Sequence, residues 1–305
     1  MNFPENKGIF PYFQDYFLNR YGMILIVDSG ATKSDWIALD EKGNQLFLTQ
    51  TLGLSPEVLT KEVIEDRLAN NFELSKNRKI VTHLYFYGAG CGTNRMKSFL
   101  KDIFKDFFPN AKADVKEDTY AAIFATTKIG TQGIVCILGT GSNCSYYDGH
   151  QLFQKVTSLG YIPMDDGSGN FFGRKLIRDY YFHKMPQNLG IKFAKEYNLE
   201  ADHIKENLYK QPNPNTYLAT FARFLVENKE HPYAKGVIDK GFQQFINNYI
   251  MQFELATKVP INFVGSIAHY LRDELVTVLE RNDLIVGVIR QRPIEGLVEF
   301  HKSTM

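Results

Sequence analysis

The 305-residue sequence is short of several things, and each shortage narrows its function. It holds three cysteines, Cys91, Cys136 and Cys144, without CxxC spacing. That excludes a disulfide scaffold and a cysteine-built metal site, and it points to a reducing, cytoplasmic setting. Cys136 and Cys144 fall in apolar or alternating segments, where a thiol serves as a small hydrophobe. No charge of one sign dominates: 35 Lys and Arg face 34 Asp and Glu, which argues against nucleic acid or an anionic membrane as partner. No apolar run approaches the roughly 20 residues that span a bilayer. His83, His183, His231 and His269 show no ligand spacing. The glycine-lysine phosphate loop of the common nucleotide-binding proteins is absent too.

The length exceeds one ordinary hydrophobic core, so two domains are expected. Residues 1–22 are rich in Phe and Tyr but lack the basic start and cleavage site of a signal peptide, and they read as an upstream extension or an early start-codon assignment. From Met23 the pattern predicts strands over 24–27, 36–39 and 45–51, a helix over 57–70, a strand over 80–87, and helices over 94–107 and 119–127. At Gly133 the meander begins again, with strands over 134–138, 143–147 and 151–156. Two copies of one hairpin meander suggest a duplicated fold. A glycine turn then leads into a helix over 167–181, and mostly helical sequence follows to 228. A helix over 233–256, a strand over 261–264, a helix to 280, a strand over 284–288 and a last helix from Ile294 complete the chain. The first domain is placed at 23–130 with helix 293–305, and the second at 131–292 with a helical insertion at about 186–232.

Three turns carry chemistry. In Asp28-Ser29-Gly30-Ala31-Thr32-Lys33-Ser34, small residues let backbone N–H groups approach an anion, and Thr32, Ser34 and Lys33 add donors. The plain alternative is a structural hairpin turn. Gly139-Thr140-Gly141-Ser142 offers the same chemistry from the second repeat, so two loops could grip a triphosphate in an inter-domain cleft. Asp28, beside such phosphates, suits Mg2+ held through water, or a turn Asp bonding its own backbone. Asp118 opens a helix, either as a cap or as the carboxylate that phosphoryl transfer to a hydroxyl requires. Asp165-Asp166-Gly167-Ser168-Gly169 is a capping turn or presents an acid to sugar hydroxyls. Gly265-Ser266, after a buried strand, allows close backbone approach to a nucleotide.

In order and spacing these segments resemble the BadF-type ATPase and N-acetylglucosamine kinase family, within the sugar kinase, actin and Hsp70 superfamily. The carriers are Asp28 to Asp35, Glu117-Asp118, Leu138 to Asn143, Asp165 to Gly169 and Val264 to Ser266. The resemblance implies an α/β fold of two RNase H-like, actin-like domains around a cleft, with the last helix packed on the first domain. It implies ATP and Mg2+, with phosphates at Ser29, Gly30, Thr32, Lys33, Ser34 and Gly139 to Ser142, and adenosine near Gly265 and Ser266. Asp118 is then the base, and Ser55, Gly88, Gly160 and Asp165 face an amino sugar that receives the γ-phosphoryl group on its 6-hydroxyl. Two departures stand out: the loop after the third strand reads Gly53-Leu54-Ser55-Pro56-Glu57 without the family's Asn, and the fourth strand ends Tyr87-Gly88-Ala89-Gly90 in place of Ser-Gly. An ATPase that activates a partner enzyme and a non-catalytic sugar or nucleotide sensor are the other readings. A homodimer is open.

Overall fold

The structure, a computed structural model, describes residues 22–30, 32–128 and 130–304. Except for Gly22, the N-terminal extension lies outside the described residues. The chain divides into two compact units: one takes the described residues to Ala121 and those from Ile294, the other runs Ala122–Pro293.

In the first unit β1 (Met23–Ser29), β2 (Lys33–Asp40), β3 (Gln45–Leu52), α1 (Lys61–Ala69), α2 (Phe72–Asn77), β4 (Val81–Gly88), α3 (Asn94–Phe107), β5 (Lys112–Glu117) and the start of α4 (Asp118–Thr126) follow in order. The sheet order is β3-β2-β1-β4-β5. Central β1 runs antiparallel to β2 and parallel to β4, which is parallel to β5. Being covered on both faces, β1 reads as an unbroken apolar run, Met23 to Val27. On one face Met23, Leu25 and Val27 join Trp36, Leu84, Phe86, Leu100, Phe104 and Phe108 in one core.

The second unit repeats that plan. It contains β6 (Gly133–Leu138), β7 (Ser142–Tyr147), β8 (Leu152–Phe153), α5 (Gly169–Tyr181), α6 (Gln187–Glu196), α7 (Ala201–Tyr209), α8 (Pro214–Thr220), α9 (Ala222–Glu227), α10 (Pro232–Asn248), β9 (Pro260–Val264), α11 (Ser266–Tyr270), α12 (Arg272–Arg281) and β10 (Ile285–Arg290). The order β8-β7-β6-β9-β10 matches the first sheet strand for strand, with the same antiparallel hairpins and parallel crossovers. The duplication expected from the two meanders is therefore present, and each unit has the RNase H-like α/β topology. Helices α6 to α9 carry Phe193, Phe221 and Phe224 into the second core. α13 (Ile294–Thr304) returns to the first unit and packs on β1 and β2.

Some elements differ from expectation. Strand β5 was not expected: in Lys112-Ala-Asp-Val-Lys-Glu117 only Val115 is fully buried, so the apolar signal is weak. The helix expected from Glu57 starts at Lys61, because Val58 and Leu59 donate to the Ser55 carbonyl in a turn around Pro56. The helix expected to reach Ala256 ends at Asn248, followed by a 3-10 turn, Ile250–Gln252. Strand 151–156 shrinks to two residues. Among the described residues no helix is long and apolar enough to cross a membrane.

Candidate active site

The first unit gathers its candidate residues at the carboxyl ends of β1, β4 and β5, where open α/β sheets place their ligands. Parallel register sets Ser29 beside Gly88, and Gly88 beside Glu117, so Asp118 enters α4 at the same end of the sheet as the β1–β2 hairpin, two strands away. Gly90 has φ +80°, and a Cβ there would lie 2.5 Å from Ser55 Oγ. The loop after β4 thus packs directly on the loop after β3, and Ser55 is buried against it.

Within the hairpin the hydroxyls divide. Ser34 Oγ donates to Ser29 Oγ at 2.8 Å, and Ser29 Oγ accepts the Leu54 N–H at 3.2 Å. Both serines are 1 % exposed or less. They tie the hairpin to the 53–54 segment, so the hydroxyls expected as phosphate donors are engaged within the protein. Lys33 likewise places Nζ 2.9 Å from the Asp35 carboxylate. Thr32 is exposed at the tip, and Gly30 N–H closes the turn on the Lys33 carbonyl at 2.9 Å. Asp28, half-buried, is the penultimate residue of β1 and pairs with Asp35.

Asp118 is half-buried. Burial pushes its carboxyl up to about 6, and the adjacent Glu117 carboxylate adds to the shift against the Thr119 and Asp118 backbone N–H groups. The Cys91 thiol nearby is pushed up to about 12 by burial, then by Asp118 and Glu117, so it stays neutral. Thr119 Oγ1, beside Asp118, is buried without a protein partner.

The second unit builds the corresponding arrangement at the ends of β6 and β9. The hairpin closes with Gly139 N–H donating to the Gly141 carbonyl at 3.0 Å. The start of α5 holds it: Gly169 N–H donates to the Gly139 carbonyl at 2.8 Å, and Asn170 Nδ2 to the Thr140 carbonyl at 2.7 Å. Asp165, at φ +69°, is the brace. Its carboxylate accepts the Ser142 N–H at 3.2 Å and Asn170 Nδ2 at 2.8 Å, while its own N–H donates to Tyr249 Oη. A Cβ on Gly141 would meet that carboxylate at 2.8 Å. Burial raises the Asp165 pKa, opposed by the bonds from Asn170 and Ser142. Gly265, at φ +130°, comes so close that a Cβ would sit 2.2 Å from the Leu138 carbonyl oxygen. Gly139 to Ser142, Asp165 and Gly265 are therefore brought together, with exposed Ser266 opening α11. Gly160 lies in an exposed loop with nothing within 4 Å of its would-be Cβ, and its carbonyl accepts the N–H of Met164, the residue before Asp165, at 3.2 Å. Asn170 and Tyr249 escaped the sequence reading. Asn170 carried a signal, being the first polar side chain after the Gly167-Ser168-Gly169 turn.

No family model matches the chain, and no curated protein matches it. Among solved structures, a candidate N-acetylglucosamine kinase of Porphyromonas gingivalis superposes with TM-score 0.86 at 32% identity, covering 92% of this chain and 99% of that one. A candidate N-acetylglucosamine kinase of Chromobacterium violaceum, at TM-score 0.66 and 15% identity, covers 92% of this chain and 98% of its own. A ROK family glucokinase of Streptomyces griseus, in complex with glucose and AMPPNP, gives 0.60 and 14% over 92% and 97%. The last two share the fold. With 32% identity over nearly the whole length of both chains, joined to a duplicated actin-like topology and paired glycine hairpins, the protein belongs to the N-acetylglucosamine kinase-like family of sugar kinases.

Proposed function

We propose that this sugar kinase moves the γ-phosphoryl group of ATP to the 6-hydroxyl of an amino sugar, N-acetylglucosamine or a relative, in the cytoplasm, and that it falls in the BadF-type branch. The observation that carries the reading is Asp118. A half-buried carboxyl at the ends of parallel strands, with a pKa near 6, is ionised at neutral pH yet basic enough to take a proton. Asp118 orients the sugar hydroxyl and accepts its proton as the oxygen attacks phosphorus, and ADP leaves.

Phosphate oxygens are received by backbone N–H groups at Thr32, Thr140 and Gly141 and by the Thr32 and Thr140 hydroxyls, while the Gly30 and Gly139 N–H groups close the two turns. Packing of Gly141 on the Asp165 carboxylate and of Gly265 on the Leu138 carbonyl fixes the backbone that would present these donors. Magnesium fits at Asp28 through water. Among the described residues no group of three His, Cys, Asp or Glu could hold a metal, which suits an ion carried chiefly by phosphate oxygens and water. The Porphyromonas relative's name favours N-acetylglucosamine, and the nucleotide analogue in the Streptomyces glucokinase favours ATP. The described cysteines are free and all buried, which weighs against an iron-sulfur ATPase and fits a reducing compartment.

A coupled ADP-release screen over hexoses, hexosamines and N-acetylated amino sugars tests the reading. Turnover is expected with an amino sugar and lost in Asp118→Asn. Sugar binding without ADP release for any of them would favour the sensor reading instead.

A further inference from the structure

In the second unit α5 and α10 flank an open cavity of about 260 Å³ that none of the hairpin residues lines. Its apolar wall is Phe171, Val237 and Gly241. Gly241 lets the helices close up, since a Cβ there would be 2.4 Å from the Phe172 ring. Its polar wall is Arg174, Lys175, Arg178, Lys240 and Gln244, four of them cationic.

These charges are largely uncompensated. Each of the two helices has one carboxylate, and both are engaged. Asp179 accepts from Lys175 at 2.6 Å and from Tyr233 Oη at 2.7 Å, and Asp239 accepts from Arg281 at 2.7 Å. Among the described residues Arg174, Arg178 and Lys240 form no ion pair. Arg174 donates to the carbonyls of Tyr161 and Ile162 at 3.1 and 2.8 Å, which fixes its guanidinium at the rim. It influences Asp165 only through space. Arg178 lies over the Phe182 ring at 5.3 Å, and Lys240 is exposed. Three cations around a largely apolar hollow suit a doubly charged anion that carries a carbon skeleton. The volume falls just below the roughly 300–1,000 Å³ of small-molecule pockets, which suits a phosphorylated monosaccharide better than a nucleotide.

We propose that this cavity is a second ligand site that binds a small phosphate monoester, with Arg178 and Lys240 on the phosphate and Phe171 against the carbon skeleton. The site does not depend on the reaction assigned to Asp118. It lies on the helix whose first turn holds the phosphate hairpin.

Isothermal titration of the full chain, with saturating AMPPNP to keep the nucleotide site filled, tests it. The probes are glucose 6-phosphate, inorganic phosphate and glucose. One equivalent of glucose 6-phosphate is expected to bind, more tightly than inorganic phosphate, with glucose unable to compete. Arg178→Ala with Lys240→Ala is expected to weaken it by about tenfold or more, and Lys240→Arg to retain most of the affinity. Both side chains are exposed, so an unchanged melting temperature is the folding control. No binding at about 10 mM ester, or binding indifferent to the double substitution, overturns the site. Equal or tighter binding of inorganic phosphate overturns the ester assignment.

Discussion

Asp165 and Ser142, 23 positions apart in sequence, are joined at the root of the second phosphate hairpin, where the carboxylate accepts the Ser142 N–H at 3.2 Å. The other carboxylate oxygen takes Asn170 Nδ2, which also donates to the Thr140 carbonyl. One acid therefore fixes the hairpin and the start of α5 together.

Asp165→Asn tests that role. Asn tolerates the left-handed backbone of this position, and its carbonyl can still accept from Ser142. Its amide then meets the Asn170 amide donor to donor, which Asn170 cannot relieve by flipping without losing Thr140. A buried donor left unpaired costs about 1–3 kcal/mol. The expected outcome is a lower melting temperature and an ATP KM raised by roughly tenfold, with kcat much less affected. A rise confined to the sugar KM would show instead that Asp165 meets the sugar.

Gly265→Ala is expected to be more damaging than an ordinary surface glycine change. The backbone at φ +130° costs a non-glycine residue about 1–3 kcal/mol, and the new methyl would overlap the Leu138 carbonyl. Chemical denaturation should show at least that loss. Gly160→Ala, also at positive φ but in open space, should show only the backbone share and leave ATP KM unchanged.

These examples show how much of the site was legible in sequence. The glycine turns at Gly139 and Gly265 could be read because turns follow apolar strands, and the duplicated meander because each copy repeats strand, turn and strand. The inward turn of Ser29 and Ser34 could not be read. β1 is buried on both faces, so alternation, the signal that would tell an inward hydroxyl from an outward one, is missing. Strand β5 was lost because four of its six residues are charged. The Asp165 brace depends on a left-handed backbone and a tyrosine from the end of α10, neither of which periodicity encodes.

The two hydroxyl classes in the first hairpin can be separated. Ser34→Ala removes the buried bond to Ser29 and is expected to cost about 1 kcal/mol of stability with little change in ATP KM. Thr32→Ala, at the exposed tip, is expected to raise ATP KM while leaving stability within about 0.5 kcal/mol. The opposite pattern would restore Ser34 as a phosphate ligand.

Asp118→Asn is expected to lower kcat by about 100-fold to 10,000-fold and to leave nucleotide affinity unchanged. In the intact protein, kcat/KM should fall tenfold per pH unit below an apparent pKa near 6, as the base becomes protonated. The stability change has the other sign. A folded pKa raised above the unfolded value near 4 means that the charged carboxyl opposes folding, fully above about pH 6 and not at all below 4. The Asn variant should therefore melt higher than the parent at pH 7.5, with the difference shrinking toward pH 4.

His301 gives an acid-side prediction carried by α13. It is 5 % exposed, its Nε2 lies 2.9 Å from Tyr87 Oη, and its ring stacks on Tyr85 at 4.1 Å between centroids. Burial, assisted by Lys116 and opposed by Asp114, pushes its pKa down to about 4. Because the unfolded chain takes up the proton near pH 6.5 and the folded one does not, this histidine's contribution is full above 6.5 and is lost as pH falls toward 4. The loss is on the order of 3 kcal/mol. In the same interval protonation of Asp118 stabilises, so the two partly cancel in the parent protein. His301→Phe leaves the Tyr87 hydroxyl without its imidazole partner but removes the titration. Its melting temperature should be lower than the parent's at pH 7.5, and the gap should narrow or reverse by pH 5. A gap that stays constant across that range would show that His301 does not remain neutral in the folded protein.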